Sequence, residues 1–111
     1  MNSLFFSLLP VPTKPPTNVK VVSSTLSSIK VSWGPIPKDG RNGIILGYVV
    51  FYREGTSVSW SELDVNLAYA TELTGLKTEK SYSVKVAGYT KIGRGTRSRL
   101  TSIIVGGITF P

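Results

Sequence analysis

The segment from Ser81 to Arg99 contains the side chains best suited to binding a charged ligand. Its sequence, SYSVKVAGYTKIGRGTRSR, interleaves aromatic residues and glycines with five cations. That mixture is typical of a surface that binds a polyanion, because clustered cations attract phosphate or sulfate groups. The same letters also fit a half-buried strand, a tight glycine turn and a solvated return strand. The fold must therefore decide which of these side chains share a surface.

The rest of the sequence offers little for catalysis. The chain has 111 residues and neither cysteine nor histidine, which removes disulfides, thiol nucleophiles, thiolate metal sites and the commonest general base. Its six acidic residues are spread along the chain and form no cluster suited to a metal ion. We therefore expect no enzymatic activity, no metal and no cofactor.

The charge balance favours acidic partners. Thirteen Lys and Arg against six Asp and Glu give a net charge of +7, which suits polyanionic sugars, nucleic acid or an anionic membrane surface. The Gly-Arg-Gly tripeptide at 93–95 lacks the spacing and the following helix of a phosphate-binding loop. Aromatic and cationic residues alternate between strand faces and form no stacking platform, so we expect no nucleic acid. The apolar run Leu4 to Leu9 is too short to span a bilayer, so we expect no membrane insertion.

Hydrophobic residues that alternate with polar ones predict an all-β domain. The pattern is clearest around Trp33, around Tyr48 and after Tyr82, and turn-forming residues separate the segments at intervals of roughly 8 to 12 residues, as in antiparallel sandwiches. No stretch shows the period of an amphipathic helix. The predicted core comprises Trp33, Tyr48, Val50, Leu76, Tyr82, Val84 and Val86.

The composition also predicts where the domain begins and ends. Residues 1–14 are predicted to be a disordered leader and linker, since four prolines fall between positions 10 and 16. The domain is predicted to occupy residues 15–105, the stretch over which the family resemblance described below runs, and residues 106–111 are predicted to form a C-terminal linker. One domain fits a chain of this length.

The order and spacing of several short motifs resemble the fibronectin type III domain. The motifs are, in order, Pro15-Pro16, Ile29-x-Val31-x-Trp33, Asn42-Gly43, Gly47-Tyr48-x-Val50-x-Tyr52, LTGL at 73–76, Tyr82-x-Val84-x-Val86 and Gly93-x-Gly95-x-x-Ser98. The sequence departs from the family pattern at Thr78, where proline is frequent, and at Gly88, where alanine is usual. An immunoglobulin domain fits less well, because it usually carries a tryptophan on its third strand and a cysteine pair.

The resemblance implies a seven-stranded antiparallel immunoglobulin-like β-sandwich without a disulfide. Its strands, conventionally lettered, form the sheets A-B-E and C′-C-F-G. Trp33 would be the core tryptophan, and Leu76 with Tyr82 would form a tyrosine corner, in which the hydroxyl group bonds to the backbone a few residues upstream.

This strand order places six cations on one sheet and its adjoining loop: Arg53, Lys85, Lys91, Arg94, Arg97 and Arg99. Such a surface is a candidate for binding a heparin-like glycosaminoglycan. It is also what an ordinary solvated sheet face looks like, with edge charges that discourage aggregation, and the sequence alone favours that plainer interpretation. Val49, Phe51 and Tyr89 would share this face as an apolar patch for contact with a protein.

The resemblance further implies a non-catalytic module of a larger protein. The expected parent is an extracellular or cell-surface adhesion molecule or receptor ectodomain, in which the module spaces its neighbouring domains and contacts protein partners. The alternative is an intracellular spacer in a giant muscle-type or cytoskeletal protein, since such proteins also use this fold without disulfides.

Overall fold

The computed structural model of the protein describes residues 11–55 and 57–106. The predicted leader up to residue 10 and the predicted linker after residue 106 lie outside these residues. The strands are β1 (Thr17–Thr25), β2 (Ser28–Gly34), β3 (Gly47–Glu54), β4 (Ser61–Asp64), β5 (Ala70–Leu73), β6 (Ser81–Tyr89) and β7 (Thr101–Ile104). A single 3₁₀ turn, Lys38–Gly40, interrupts the loop between β2 and β3. No helix in this part of the chain is long and apolar enough to cross a membrane.

The strands form two antiparallel sheets, which confirms the predicted fold class. One sheet has the order β1-β2-β5 and the other β4-β3-β6-β7. These are the orders A-B-E and C′-C-F-G that the resemblance implies. The cations predicted on β3 and β6 therefore lie on neighbouring strands of one sheet.

The core lies between the two sheets because each central strand turns alternate apolar residues inward. On β2, Ile29, Val31 and Trp33 are buried while Lys30 between them is exposed. All seven side chains predicted for the core lie in the main buried cluster, and each is at most 9% exposed. Burial of a large apolar side chain contributes about 1.5–3 kcal/mol, so this cluster is the main source of stability.

Aromatic rings line one end of this core. Tyr48 lies between Trp33 and Tyr69, with ring centroids separated by 5.8 Å and 5.5 Å. Burial, together with a hydrogen bond to Tyr69, raises the pKa of Tyr48 to about 12. Its hydroxyl group therefore stays protonated and neutral throughout the physiological range.

Alkaline pH is expected to destabilise the domain through Tyr48. Its folded-state pKa lies above the unfolded value of 10.0, so its contribution is complete below pH 10 and is lost as the pH rises towards 12. Denaturant unfolding of the wild type and of Tyr48→Phe across this range measures the effect. The wild-type midpoint should fall more steeply with pH than that of the variant, and parallel curves would contradict the assignment.

The loop before β6 is held by the predicted tyrosine corner. The backbone N–H of Lys77 donates a hydrogen bond of 3.0 Å to the Tyr82 hydroxyl oxygen. Thr78, at the position where the family frequently has proline, donates its hydroxyl hydrogen to the carbonyl of Leu26 at 2.5 Å. The threonine thus ties this loop to the turn between β1 and β2.

The structured part of the chain begins earlier than predicted, so the linker assignment for residues 11–14 needs correction. Pro12 is buried, and its carbonyl accepts a hydrogen bond of 3.0 Å from the N–H of Thr96. Thr13 donates its N–H to the carbonyl of Gly40 at 2.8 Å. Pro12 also packs so closely on Gly95 that a Cβ atom there would overlap it. A proline-rich composition gives no information about such contacts with distant loops.

The last strand, β7, has only four residues. Regular pairing with β6 covers only β7. Before it, Ser98 donates its N–H to the carbonyl of Val86 at 2.8 Å, and its hydroxyl oxygen accepts the N–H of Val86 at 2.9 Å. The Ser98 hydroxyl group thus accepts a hydrogen bond that a backbone carbonyl accepts in a regular sheet. The hydrogen-bond ladder between β6 and this segment is therefore irregular, and successive side chains of the segment no longer alternate between the two faces.

Candidate binding surface

The outer face of the four-stranded sheet brings together aromatic, cationic and acidic side chains. In the strand register, Phe51 on β3 lies between Glu62 on β4 and Lys85 on β6. Directly opposed residues project from the same face of a sheet. Arg94 and Arg97 follow β6 and reach this face from the chain segment that leads to β7. We call the following six side chains the basic face: Arg53, Lys85, Arg94, Arg97, Phe51 and Trp60.

Two arginines cover the ring of Phe51. The guanidinium carbon of Arg97 lies 3.9 Å from the ring centroid, and that of Arg94 lies 5.6 Å from it. At exposed sites such cation–π contacts are worth about 0.5–1 kcal/mol. The contact restrains the arginine, and a restrained guanidinium loses less conformational entropy when it binds a sulfate or carboxylate group.

Trp60 supports the other two cations. Its ring lies 4.5 Å from the guanidinium carbon of Arg53 and 5.6 Å from Nζ of Lys85. Arg53 also donates from Nη1 to the carbonyl of Ser57 at 3.1 Å. These contacts hold both cations against the ring of Trp60.

The charge of the basic face is only partly compensated. Arg94 forms an ion pair of 2.8 Å with Glu62, and both side chains are about half exposed, so the pair contributes roughly 0–1 kcal/mol. Within residues 11–55 and 57–106, Arg53, Lys85 and Arg97 have no acidic group within 4.0 Å. Asp64 at the edge of the sheet accepts hydrogen bonds of 2.9 Å and 3.0 Å from the hydroxyl group of Tyr89. Partial burial and this bond raise the pKa of Tyr89.

Two of the six predicted cations contact neither ring of this face among the described residues. Lys91 lies in the turn after β6, as predicted, and lines one groove with Ile44 and Ile92 and another with Tyr89 and Arg94. Arg99 lines a groove beside Pro15 and β1. The prediction that Arg97 and Arg99 share a surface assumed a regular strand, and the irregular pairing at Ser98 removes that regularity.

The predicted apolar contact patch also needs correction. Val49 and Phe51 do lie on this face, but they are only 2% and 0% exposed. They form a small second core with Ala87, against which Trp60 and Tyr89 pack. Tyr89 is half-buried. The cations and the tryptophan cover the apolar side chains, so the face presents charge where an apolar patch was expected.

Sequence reasoning did not include Trp60 among the site residues. A signal for Trp60 was present in the segment VSWSEL, where this large aromatic residue comes directly before the exposed edge strand β4. In the register of β3 and β4, the next position after the Tyr52–Ser61 pair places Trp60 opposite Arg53.

The sequence of the chain matches a known protein family. The profile of the fibronectin type III domain matches residues 14–104. The chain belongs to the fibronectin type III family. The basic face of this fibronectin type III module therefore lies on its C′-C-F-G sheet.

Relatives of the module occur in much longer proteins. The chain is 41% identical over 91 residues to protein sidekick-2 of Mus musculus. This alignment covers 79% of the chain and 4% of that protein. It is 34% identical over 96 residues to cell adhesion molecule DSCAML1 of Homo sapiens, covering 84% of the chain and 5% of that protein. The solved FN5 domain of Drosophila Lar aligns with a TM-score of 0.71 at 31% identity, covering 87% of the chain and 99% of that domain. The fibronectin type III module thus spans 4–5% of the length of these curated relatives.

Proposed function

We propose that the chain is a non-catalytic, extracellular protein-interaction and spacer module of a cell-adhesion or receptor protein, and that its basic face binds a heparin-like sulfated glycosaminoglycan. The sequence similarity to proteins named as cell adhesion molecules supports the first part. In such a parent the module contacts protein partners and separates its neighbouring domains.

The basic face is the observation that carries the second part. Four cations lie over two rings, and three of them have no acidic group within 4.0 Å among the described residues. A sulfated polymer would gain charge-assisted hydrogen bonds from the guanidinium groups and would release counterions on binding. Phe51 is buried beneath Arg97 within the module, so its ring is not available as an apolar contact for a partner and the face offers charge instead.

Retention on immobilised heparin over a salt gradient tests this proposal. We expect the wild type to elute well above physiological ionic strength, about 0.15 M. The variant Lys85→Gln/Arg94→Gln/Arg97→Gln should elute near that value, because each lost contact lowers the dependence of binding on log salt by roughly one.

A second triple variant controls for net charge. Lys20→Gln/Lys30→Gln/Lys80→Gln also removes three positive charges, but Lys20 and Lys30 lie on the other sheet and Lys80 precedes β6. All three side chains are exposed and lack ion pairs within the described residues. Retention of this control near the wild-type position would assign binding to the basic face. Equal losses in both variants would show that net charge alone is responsible and would refute a defined site.

A further inference from the structure

One end of the sandwich exposes a cluster of apolar side chains. This end, which we call the loop pole, consists of residues 41–46 after β2, 67–69 after β4 and 90–92 after β6. Its exposed apolar residues are Ile44, Leu46, Leu67, Tyr69 and Ile92, with exposed fractions of 81%, 46%, 57%, 49% and 49%. Isolated exposed apolar residues are ordinary, but a contiguous group on adjoining loops marks an interaction surface.

Two grooves flank Ile44 at the loop pole. The first, of about 190 Å³, is bordered by Ile44, Leu46 and Ile92 together with Lys91. The second, of about 400 Å³, has the following lining residues: Arg41, Gly43, Ile44, Ile45, Tyr48, Leu67 and Tyr69. Each groove thus combines apolar side chains with one cation.

Neither cation has an acidic partner in the part of the chain that the structure describes. The ion pairs in this part join Lys14 to Asp39, Lys77 to Glu54 and Arg94 to Glu62, and none involves Arg41 or Lys91.

Two carboxylates lie near these cations, but neither pairs with them. Asp64 lines one groove with Lys91, where it accepts its hydrogen bonds from the hydroxyl group of Tyr89 and forms no ion pair among the described residues. Asp39 is occupied by Lys14, and the hydrogen bond and charge of that lysine hold the pKa of Asp39 below its usual value. The hydroxyl group of Tyr48 is neutral, so it supplies no negative charge to the groove of Arg41. The loop pole therefore presents apolar surface together with unpaired positive charge.

We propose that the loop pole binds an acidic amphipathic peptide segment of a partner protein, whose apolar side chains enter the groove between Ile44 and Ile92 and whose carboxylates pair with Lys91 and Arg41. Apolar side chains supply binding energy, and charge complementarity fixes the orientation and favours this class of partner. A second copy of the chain would present the same positive pole and be repelled, and a polyanionic sugar would leave the apolar groove unused. Lys91 lines one groove together with Arg94 of the basic face, but Ile44 does not. Ile44→Ser leaves every cation of the basic face in place, so this variant separates the two proposals.

Selection of a random phage-displayed peptide library on the immobilised chain tests the proposal. The recovered peptides are synthesised, and their dissociation constants are measured for the wild type, Ile44→Ser and Lys91→Glu. We expect sequences that combine Leu, Phe or Trp with Asp or Glu, and affinities reduced about tenfold or more by each substitution. Both substituted side chains are exposed, so both variants should fold. The matched controls Val58→Ser and Lys80→Glu, exposed and outside the loop pole, should bind as the wild type does.

Several results would overturn this assignment. Recovery of no peptide above the background without protein would do so, as would peptides that bind Ile44→Ser normally or that depend instead on Arg97. Sedimentation showing self-association that Ile44→Ser abolishes would assign the loop pole to a second copy. Binding to phosphatidylserine vesicles that both Ile44→Ser and Lys91→Glu remove would assign it to a membrane surface.

Discussion

Replacing Phe51 with alanine is expected to lower the free energy of unfolding by about 3–5 kcal/mol, the range for deleting a fully buried aromatic side chain. Phe51 is 0% exposed and is the largest member of the second core, with Val49 and Ala87. The substitution leaves a cavity and also removes the ring that supports Arg97. Stability measured by urea unfolding should therefore fall by a large part of the 5–15 kcal/mol typical of a domain.

The variant Phe51→Leu separates packing from the cation–π contact. Leucine keeps most of the buried volume, so we expect a loss of only about 1–2 kcal/mol, which includes the contact with Arg97. If Phe51→Ala cost no more than Phe51→Leu, the ring would not be buried in solution and the second core would be wrongly assigned. The midpoints of both unfolding curves decide this, provided that the slopes are unchanged, because an unchanged slope shows that unfolding exposes the same amount of surface.

The main core could be predicted from the sequence because its signal is local. Side chains alternate along a strand, so Ile29, Val31 and Trp33 identify their own buried face without knowledge of any partner. The same argument holds for Tyr82, Val84 and Val86 on β6. The sheet order, in contrast, came from the resemblance, because pairing between distant strands leaves no periodic signal in either one.

The second core could not be predicted from alternation. A period of two places Phe51 on the outer face, but whether that face is open depends on what crosses it. Trp60 packs against it from the position just before β4, and Arg97 covers it from the irregular segment before β7, far along the chain from Phe51. The hydroxyl group of Ser98 determines this irregularity through one hydrogen bond to Val86, which no pattern of hydrophobicity records.

The position of the cations was predicted more reliably than their environment. Alternation correctly places Arg53 and Lys85 on the outer face, and the resemblance correctly implies that their strands are neighbours. It does not reveal that Arg94 is paired with Glu62, because Glu62 lies on an edge strand whose register with β3 had to be known first. For the candidate site, local rules thus identify which residue types are available, and tertiary contacts determine which charges remain free.

The departure from the family pattern at Gly88 should carry a large stability effect. A Cβ atom at this position would overlap Cδ1 of Ile36, a side chain that is 0% exposed. We expect Gly88→Ala to lower the free energy of unfolding by about 1–3 kcal/mol, because a packed interior cannot shift without strain elsewhere. The backbone of Gly88 is not in the left-handed region, so the expected loss comes from the clash and not from a forbidden backbone angle.

A double-mutant cycle with Ile36→Val isolates that clash. Valine lacks the Cδ1 atom, so Ile36→Val alone should cost about 0.5–1.5 kcal/mol, and the double variant should be more stable than the sum of the two single losses predicts. Gly93→Ala is the matched control, since its added Cβ would meet only Cγ1 of Val11 at 3.4 Å, an ordinary contact. Strictly additive losses in the cycle would mean that Ile36 does not occupy the space that alanine requires. A favourable coupling would show that the glycine in β6 and the isoleucine in the loop after β2 fit each other as a pair, so that a family consensus applied at position 88 alone would destabilise this module.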